Sequence, residues 1–266
     1  MDRNLPVFFP EDTYDTPEDT PRYVLDRLLG TRWNLYLRYF GVVFRAWYTA
    51  VRNRYDDTEW ATSSFAIFRQ VERCGGRLHL SGIDNLRKTQ GPVVIIGNHM
   101  SAAETQLLPS IIAPVRPVTF VVKRSLVTHP IFGPVMRSRD PIVVTRKDPR
   151  GDMEAVLTRG RELLARGVSV IVFPQATRRI AFVPEQFNSL GIKLARAGGV
   201  AVIPAAVKTD AWGNGRILRD FGPFDRTKPL HMAFGPPMPI TGTGKSEHQA
   251  VIEFIRSRLQ AWGAFS

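Results

Sequence analysis

The sequence predicts an α/β fold: a largely parallel central sheet with helices on both faces, preceded by an N-terminal amphipathic helical segment. Three observations carry that expectation. Short β-rich apolar runs recur from residue 91 onward, stretches of helical periodicity separate them, and the runs are near-continuously apolar, as strands covered on both faces are. A chain of 266 residues with 44% hydrophobic content can bury a full core as one large domain with a short helical extension.

Taken in order, residues 1–30 read as an irregular acidic tail, punctuated by Pro6, Pro10, Pro17 and Pro21. Residues 31–74 read as an amphipathic helical segment suited to a membrane interface. Its first part, 31–51, is rich in Trp and Tyr, and Arg38, Arg45 and Arg52 fall within roughly 40° of one another around a helix axis. Those arginines argue against a membrane-spanning helix, which needs about 20 predominantly apolar residues. An interfacial helix and a core-packed helix with snorkelling arginines are both compatible with the pattern.

Residues 75–266 form the main domain. Strands are expected at 92–98, 118–123, 141–146, 168–174, 201–207 and 231–235. Asp152 is placed to cap a helix with Met153, Val156, Leu157, Leu163 and Leu164 on one face and Gly167 at its end. A last helix, 249–262, repeats the pattern through Val251, Ile255, Leu259 and Trp262.

Charge and cysteine usage narrow the function classes. Residues 1–30 hold seven acidic and three basic residues, leaving 33 basic against 17 acidic in the remainder, a balance of +16. Such a body attracts polyanions: nucleic acid, anionic lipid headgroups or phosphorylated small molecules. The positive residues are dispersed, with no RNP, KH or zinc-finger pattern, which speaks against a nucleic-acid partner. Cys74 stands alone, so no disulfide framework, CxxC pair or Cys-rich zinc site is possible, and a reducing compartment fits. Met1 to Pro21 lacks the basic-then-apolar order of a secretory signal, so the expected location is the cytoplasmic side.

One constellation suggests chemistry. The strand at 92–97 runs into Asn98-His99-Met100-Ser101-Ala102-Ala103-Glu104, and functional groups of open α/β sheets gather at strand carboxyl ends. Positions five apart lie about 140° apart on an ideal helix, so His99 and Glu104 meet only if His99 precedes the helix. Ser101-x-x-Glu104 reads as a capping box that starts the helix just after His99. The positive helix end then helps to keep His99 neutral, as a general base requires. The plainer alternative is that Glu104 caps and His99 packs.

Four segments in order resemble the glycerolipid acyltransferase superfamily, the HX4D/E group that contains lysophosphatidic acid and glycerol-3-phosphate acyltransferases. Asn98-His99 with Glu104 is similar to its first motif, Asp140 to Arg146 to its second, Phe173-Pro174-Gln175-Ala176-Thr177-Arg178 to its third, and Val202-Ile203-Pro204 to its fourth. Lys123 falls where the family commonly has a lysine. The likeness covers roughly residues 75–240 and makes 75–266 the expected acyltransferase domain. Several residues depart from the pattern: Glu104 stands for aspartate, Asp140 for glycine, Gln175 for glutamate and Ala176 for glycine, while Asn188 and Leu190 occupy places where lysine and glycine are frequent.

The resemblance implies transfer of a fatty acyl chain from a thioester, acyl-ACP or acyl-CoA as co-substrate, to the hydroxyl of a lysophospholipid in phospholipid biosynthesis. It implies no metal and no bound cofactor, and an enzyme peripheral on the cytoplasmic membrane face, touching an anionic surface. His99 and Glu104 are the implied catalytic pair, His99 as base and Glu104 fixing its tautomer. Asn98, Lys123, Arg146, Gln175, Thr177 and Arg178 are the implied substrate-binding set, with the arginines suited to a phosphate. No GxSxG elbow is present and Cys74 has no adjacent histidine, so direct attack of acceptor on donor is the simpler route. An acyltransferase for a glycolipid or aminolipid, or a non-catalytic lipid-binding relative, are the alternatives. His79, His129, His231 and His248 are scattered without metal-ligand spacing, and Trp212-Gly213-Asn214-Gly215 reads as a turn.

Overall fold

All six expected apolar runs form strands, and they pair into one mostly parallel sheet. The computed structural model describes residues 5–29, 32–175, 177–215 and 221–264. The chain runs β1 (Tyr14–Asp15), α1 (Val24–Leu29), α2 (Arg32–Val51), α3 (Asp57–Arg73), β2 (Leu78–Ser81), α4 (Ile83–Lys88), β3 (Val93–Gly97), α5 (Ala103–Ile112) and β4 (Val118–Lys123). It continues through α6 (Arg124–Val127), α7 (Phe132–Arg137), β5 (Ile142–Val144), α8 (Pro149–Ala165), β6 (Ser169–Val172), α9 (Leu190–Gly198), β7 (Ala201–Lys208), β8 (Leu230–Phe234) and α10 (Lys245–Ala261). The sheet order is β1-β2-β8-β7-β3-β6-β4-β5. Among the strand pairs of the described residues, β1 with β2 and β7 with β8 are antiparallel and the others parallel.

The near-continuous apolarity of β3 has a direct cause. Val93 and Ile95 enter one core, with α2, α3 and α5, whereas Val94 and Ile96 enter the other, with α8, α9 and α10. Alternate side chains of a strand point to opposite faces, so a strand buried on both sides has no place for a polar residue. The segments β3, β6, β4 and β5 run parallel, which brings their carboxyl ends to the same edge of the sheet.

Three expectations change. The N-terminal stretch is irregular for most of its length but is laid on the body: Phe9 is buried in the core, and Tyr14 Oη and Thr16 Oγ1 donate to the buried Glu72 Oε1 at 2.6 and 2.8 Å. Asp148, not Asp152, caps α8, accepting from Gly151 N at 3.0 Å, because Pro149 supplies the preset first helical residue. Asp152 lies in the first turn and turns back to the strand end, as described below.

The third change concerns α2, where Thr31 lies outside the described residues. The helix has three faces rather than two. Leu35, Tyr36, Tyr39, Val43, Ala46 and Ala50 pack into the core. Trp33, Leu37, Phe44 and Tyr48 share an opposite stripe about 60° wide and are exposed, at 67%, 71%, 51% and 52%. The arginines at 38, 45 and 52 flank that stripe, with Arg45 and Arg52 exposed and Arg38 stacked over the Tyr23 ring. No helix among the described residues is long and apolar enough to cross a membrane.

Candidate active site

The site is assembled where β3, β6, β4 and β5 end. Asn98 follows β3 and continues its pairing with β7 through its side chain: Nδ2 donates to Val207 O at 2.8 Å, and Oδ1 accepts from Val207 N at 2.9 Å. Because Gly97 is the last residue paired in register, opposite Ala205, the amide acts as one more rung of the ladder. Asn98 is buried with both ends of its amide so used. Its amide positions the chain at the end of β3 through these two bonds.

His99 is held on three sides. Its ring stacks on Phe173 with centroids 4.6 Å apart and planes 13° apart. Its backbone N donates to Gln175 Oε1 at 2.7 Å, and its carbonyl accepts from Arg179 N at 2.9 Å. The segment after β6 is thus fastened to the histidine from both directions. Gln175 is buried, and its side-chain oxygen is turned to this bond. A glutamate could accept the same bond, so the departure at 175 leaves the fastening intact.

The two ring nitrogens face different partners. Arg178 Nε donates to His99 Nε2 at 3.4 Å. His99 Nδ1 lies 3.8 Å from Glu104 Oε2, and this buried nitrogen makes no hydrogen bond. An Nε2 that accepts from a guanidinium is unprotonated, so the neutral ring carries its proton on Nδ1, facing the carboxylate. That is the tautomer a general base working through Nε2 needs. Burial foremost, then the charges of Arg178 and Arg146, lower the His99 pKa to about 3. Burial and the arginines, rather than a helix end, favour the neutral imidazole; α5 begins four residues later, at Ala103.

Glu104 is fully buried, with its oxygens turned to donors other than the histidine. Oε1 accepts from Met100 N at 2.6 Å, Ser101 N at 3.0 Å and Thr209 Oγ1 at 2.9 Å. Burial raises its pKa, opposed by these hydrogen bonds. Only half of the expected capping box forms: Glu104 reaches back to Ser101 N, but Ser101 Oγ accepts from Ala103 N, two residues on rather than three. Glu104 thereby folds the Met100–Ser101 turn that follows His99. Thr209, just beyond β7, had no signal in the sequence. Asn214, within the segment read as a turn, also anchors this loop, donating to Met100 O at 2.9 Å.

Arg146 follows β5 with φ of 59°, a left-handed conformation uncommon outside glycine. Asp152 stabilises it: Oδ1 accepts from Thr145 N and Oδ2 from Arg146 N, both at 2.6 Å. Burial and the neighbouring Arg178 lower the Arg146 pKa, so the two cations share one electrostatic environment with His99. Asp140, where the resembled family has glycine, also has positive φ, 46°, and its carboxylate binds Arg159 on α8 at 2.6 and 2.7 Å. Thr177 is exposed beside Arg178, Lys123 is exposed at the carboxyl end of β4, and Ala176 lies outside the described residues.

A cavity of about 310 Å³ opens beside Met100, lined by Ile180, Lys208, Asp210 and Lys228, with both lysines bound to Asp210 at 2.9 and 3.1 Å. Among the described residues, no group of three His, Cys, Asp or Glu side chains is placed to hold a metal ion. Cys74 is buried, its thiol pushed up to about 11 chiefly by burial, and Asn34 donates to its sulfur at 3.6 Å. It has none of the properties of a nucleophile.

The family model described as Acyltransferase matches residues 77–208, which contain Asn98, His99, Glu104, Lys123, Arg146, Gln175, Thr177 and Arg178. The chain is 28% identical over 198 residues to a 1-acyl-sn-glycerol-3-phosphate acyltransferase of Pseudomonas aeruginosa, covering 74% of this chain and 72% of that protein. It is 30% identical over 159 residues to the chloroplastic 1-acyl-sn-glycerol-3-phosphate acyltransferase LPAT1 of Arabidopsis thaliana, covering 60% of this chain and 40% of that one. The crystal structure of the 1-acyl-sn-glycerophosphate acyltransferase PlsC from Thermotoga maritima has the same fold, with a TM-score of 0.62 over 91% of this chain and 94% of that one at 18% identity.

Proposed function

This chain belongs to the glycerolipid acyltransferase superfamily and is an O-acyltransferase, and from that premise we propose that it moves a fatty acyl group from a thioester to the free hydroxyl of a 1-acylglycerol-3-phosphate-like acceptor. The observation that carries this reading is the arrangement around His99: a neutral, buried imidazole whose Nε2 faces Arg178, with Arg146 close enough to act on both. A base beside two guanidiniums suits an acceptor with a hydroxyl to deprotonate and a phosphate to hold. The named relatives act on such an acceptor.

In the proposed reaction, the acceptor oxygen attacks the thioester carbonyl while its proton passes to His99 Nε2. The new C–O ester bond forms, the C–S bond breaks, and the departing thiolate takes the proton back from the imidazolium. Glu104 offsets the transient positive charge from 3.8 Å. No acyl-enzyme is required, and the buried Cys74 offers none. Both acyl-ACP and acyl-CoA present the thioester this scheme needs.

The exposed stripe of α2, with its flanking arginines and Leu28 of α1 exposed beside Arg27, supports docking on an anionic membrane surface. Purified protein incubated with labelled acyl-CoA or acyl-ACP and a panel of lysolipids tests the assignment. Transfer to 1-acylglycerol 3-phosphate that is abolished by His99→Ala is the expected result. Transfer only to acceptors lacking phosphate, or undiminished turnover in His99→Ala, contradicts it.

A further inference from the structure

Arg178 and an acceptor hydroxyl need the same atom. Arg178 Nε donates to His99 Nε2 at 3.4 Å, and a neutral imidazole has a single acceptor nitrogen. The ring cannot offer its other nitrogen. Phe173 covers one face, Gln175 and Arg179 hold the backbone on both sides, and Nδ1 is turned to Glu104. Relief must come from movement of Arg178, a half-exposed long side chain beside the exposed Thr177.

We propose that Arg178 is a specificity switch: its guanidinium occupies the basic nitrogen of His99, and the acceptor's phosphate releases the base by drawing the guanidinium onto itself. The inference rests on the reaction proposed above, to which it adds a reason why a phosphate-bearing acceptor is favoured in the chemical step as well as in binding. A phosphate dianion is a far better partner for a guanidinium than a neutral imidazole, because the bonds are charge-assisted and bidentate.

Electrostatics act in the same direction. The charged groups facing His99 are Glu104 from α5, Arg178 from the segment after β6 and Arg146 from the segment after β5. The charges of these two cations oppose the imidazolium and weaken the base. A bound phosphate offsets the two positive charges while burial and Glu104 stay as they are, so proton affinity rises when the acceptor arrives. An arginine that only grips phosphate changes KM; one that also releases the base changes kcat.

The test uses the full chain and two acceptors that differ only in the phosphate, 1-acylglycerol 3-phosphate and 1-acylglycerol, the latter with and without inorganic phosphite. The wild type is expected to acylate 1-acylglycerol slowly and to be accelerated by phosphite by about 10²-fold, the lower end of what general-base catalysis is worth. Arg178→Ala and Arg178→Met should acylate 1-acylglycerol faster than the wild type, without stimulation by phosphite, and acylate the phosphorylated acceptor more slowly. If both variants are slower than the wild type, or equal to it, on 1-acylglycerol, the switch is overturned. A second readout needs no turnover: NMR titration of the His99 ring should show its pKa rising by about one unit or more on adding phosphite, tenfold in proton affinity. No phosphite-dependent rise overturns the switch even if the reaction is as assigned. A rise without transfer to either acceptor counts against the reaction and supports the switch.

Discussion

Glu104 Oε2 stands 3.8 Å from His99 Nδ1, while Glu104 Oε1 accepts from Met100 N, Ser101 N and Thr209 Oγ1 at 2.6, 3.0 and 2.9 Å. The carboxylate thus acts on the histidine through charge and through the turn it folds. By capping-box logic alone, glutamine could replace Glu104 with little loss of stability. Glu104 Oε2 accepts from Ser101 N and Ser101 Oγ at 3.1 and 3.3 Å, so donors converge on both oxygens and remove that freedom, since an amide nitrogen would face Ser101 N, donor against donor. Leaving a buried donor unsatisfied costs about 1–3 kcal/mol. Glu104→Gln should therefore melt at a lower temperature and lose most of its kcat, whereas Glu104→Asp should retain part of its activity. Melting curves and kcat for both variants check this. A Gln variant with normal stability and turnover would strip Glu104 of both roles.

Asn98 yields a prediction opposite to that of a substrate ligand. Its amide pairs with both polar groups of the buried Val207, so Asn98→Ala leaves an N–H and a C=O without partners at about 1–3 kcal/mol each. The melting temperature and kcat should fall together, with the acceptor KM little changed. A variant of normal stability but raised KM would place Asn98 against the substrate after all.

The depressed pKa of His99 makes folding pH-dependent. The unfolded ring titrates near its ordinary 6.5 and the folded one at about 3. Between these values the unfolded chain binds a proton that the native state does not, so stability is full above 6.5 and declines as pH falls toward 3, by at most about 1.4 kcal/mol per pH unit. His231, lowered to about 4 chiefly by burial, adds a decline of the same sign. Replacing His99 by Gln should remove its share alone. Urea denaturation of wild type and His99→Gln at pH 6.5, 5.5 and 4.5 should show the two stabilities converging as pH drops. Parallel curves would mean that His99 titrates alike in both states.

The strands around the site were legible because their double-sided burial forbids polar residues, and the motif positions were legible because strand ends of a parallel sheet share one edge. What stayed hidden was direction. The side chains of Asn98 and Gln175 sit in motifs beside His99 and Arg178, yet both turn inward to backbone atoms, and the identity of an amide residue says nothing about which way it points. Short β2 escaped notice because Leu78 to Ser81 is too brief a run to distinguish from a turn. The cap of α8 is Asp148 rather than the expected Asp152, and Pro149 at the first helical position is the sequence signal that favours it. Asp140 has positive φ, a conformation glycine adopts at no steric cost, at a position where the resembled pattern has glycine.

The faces of α2 allow membrane docking to be separated from folding. Core contacts come from Leu35, Tyr36, Tyr39 and Val43, whereas Leu37 and Phe44 lie on the exposed stripe. Changing exposed residues away from such contacts usually alters stability by no more than about 0.5 kcal/mol. Burying one such apolar side chain in a lipid interface contributes about 1.5 kcal/mol or more. A Leu37→Asp, Phe44→Asp double variant should therefore keep its melting temperature and lose about 10²-fold in vesicle partitioning, a two-residue sum of about 3 kcal/mol. Arg45→Glu should act differently: it lowers binding to anionic vesicles and flattens the salt dependence, because Coulomb attraction is screened while apolar insertion is not. Sedimentation with anionic and neutral vesicles at low and high salt distinguishes the two contributions. If the double variant binds as the wild type does, the stripe is not the docking surface; if Arg45→Glu leaves the anionic preference unchanged, the attraction resides elsewhere on the cationic body.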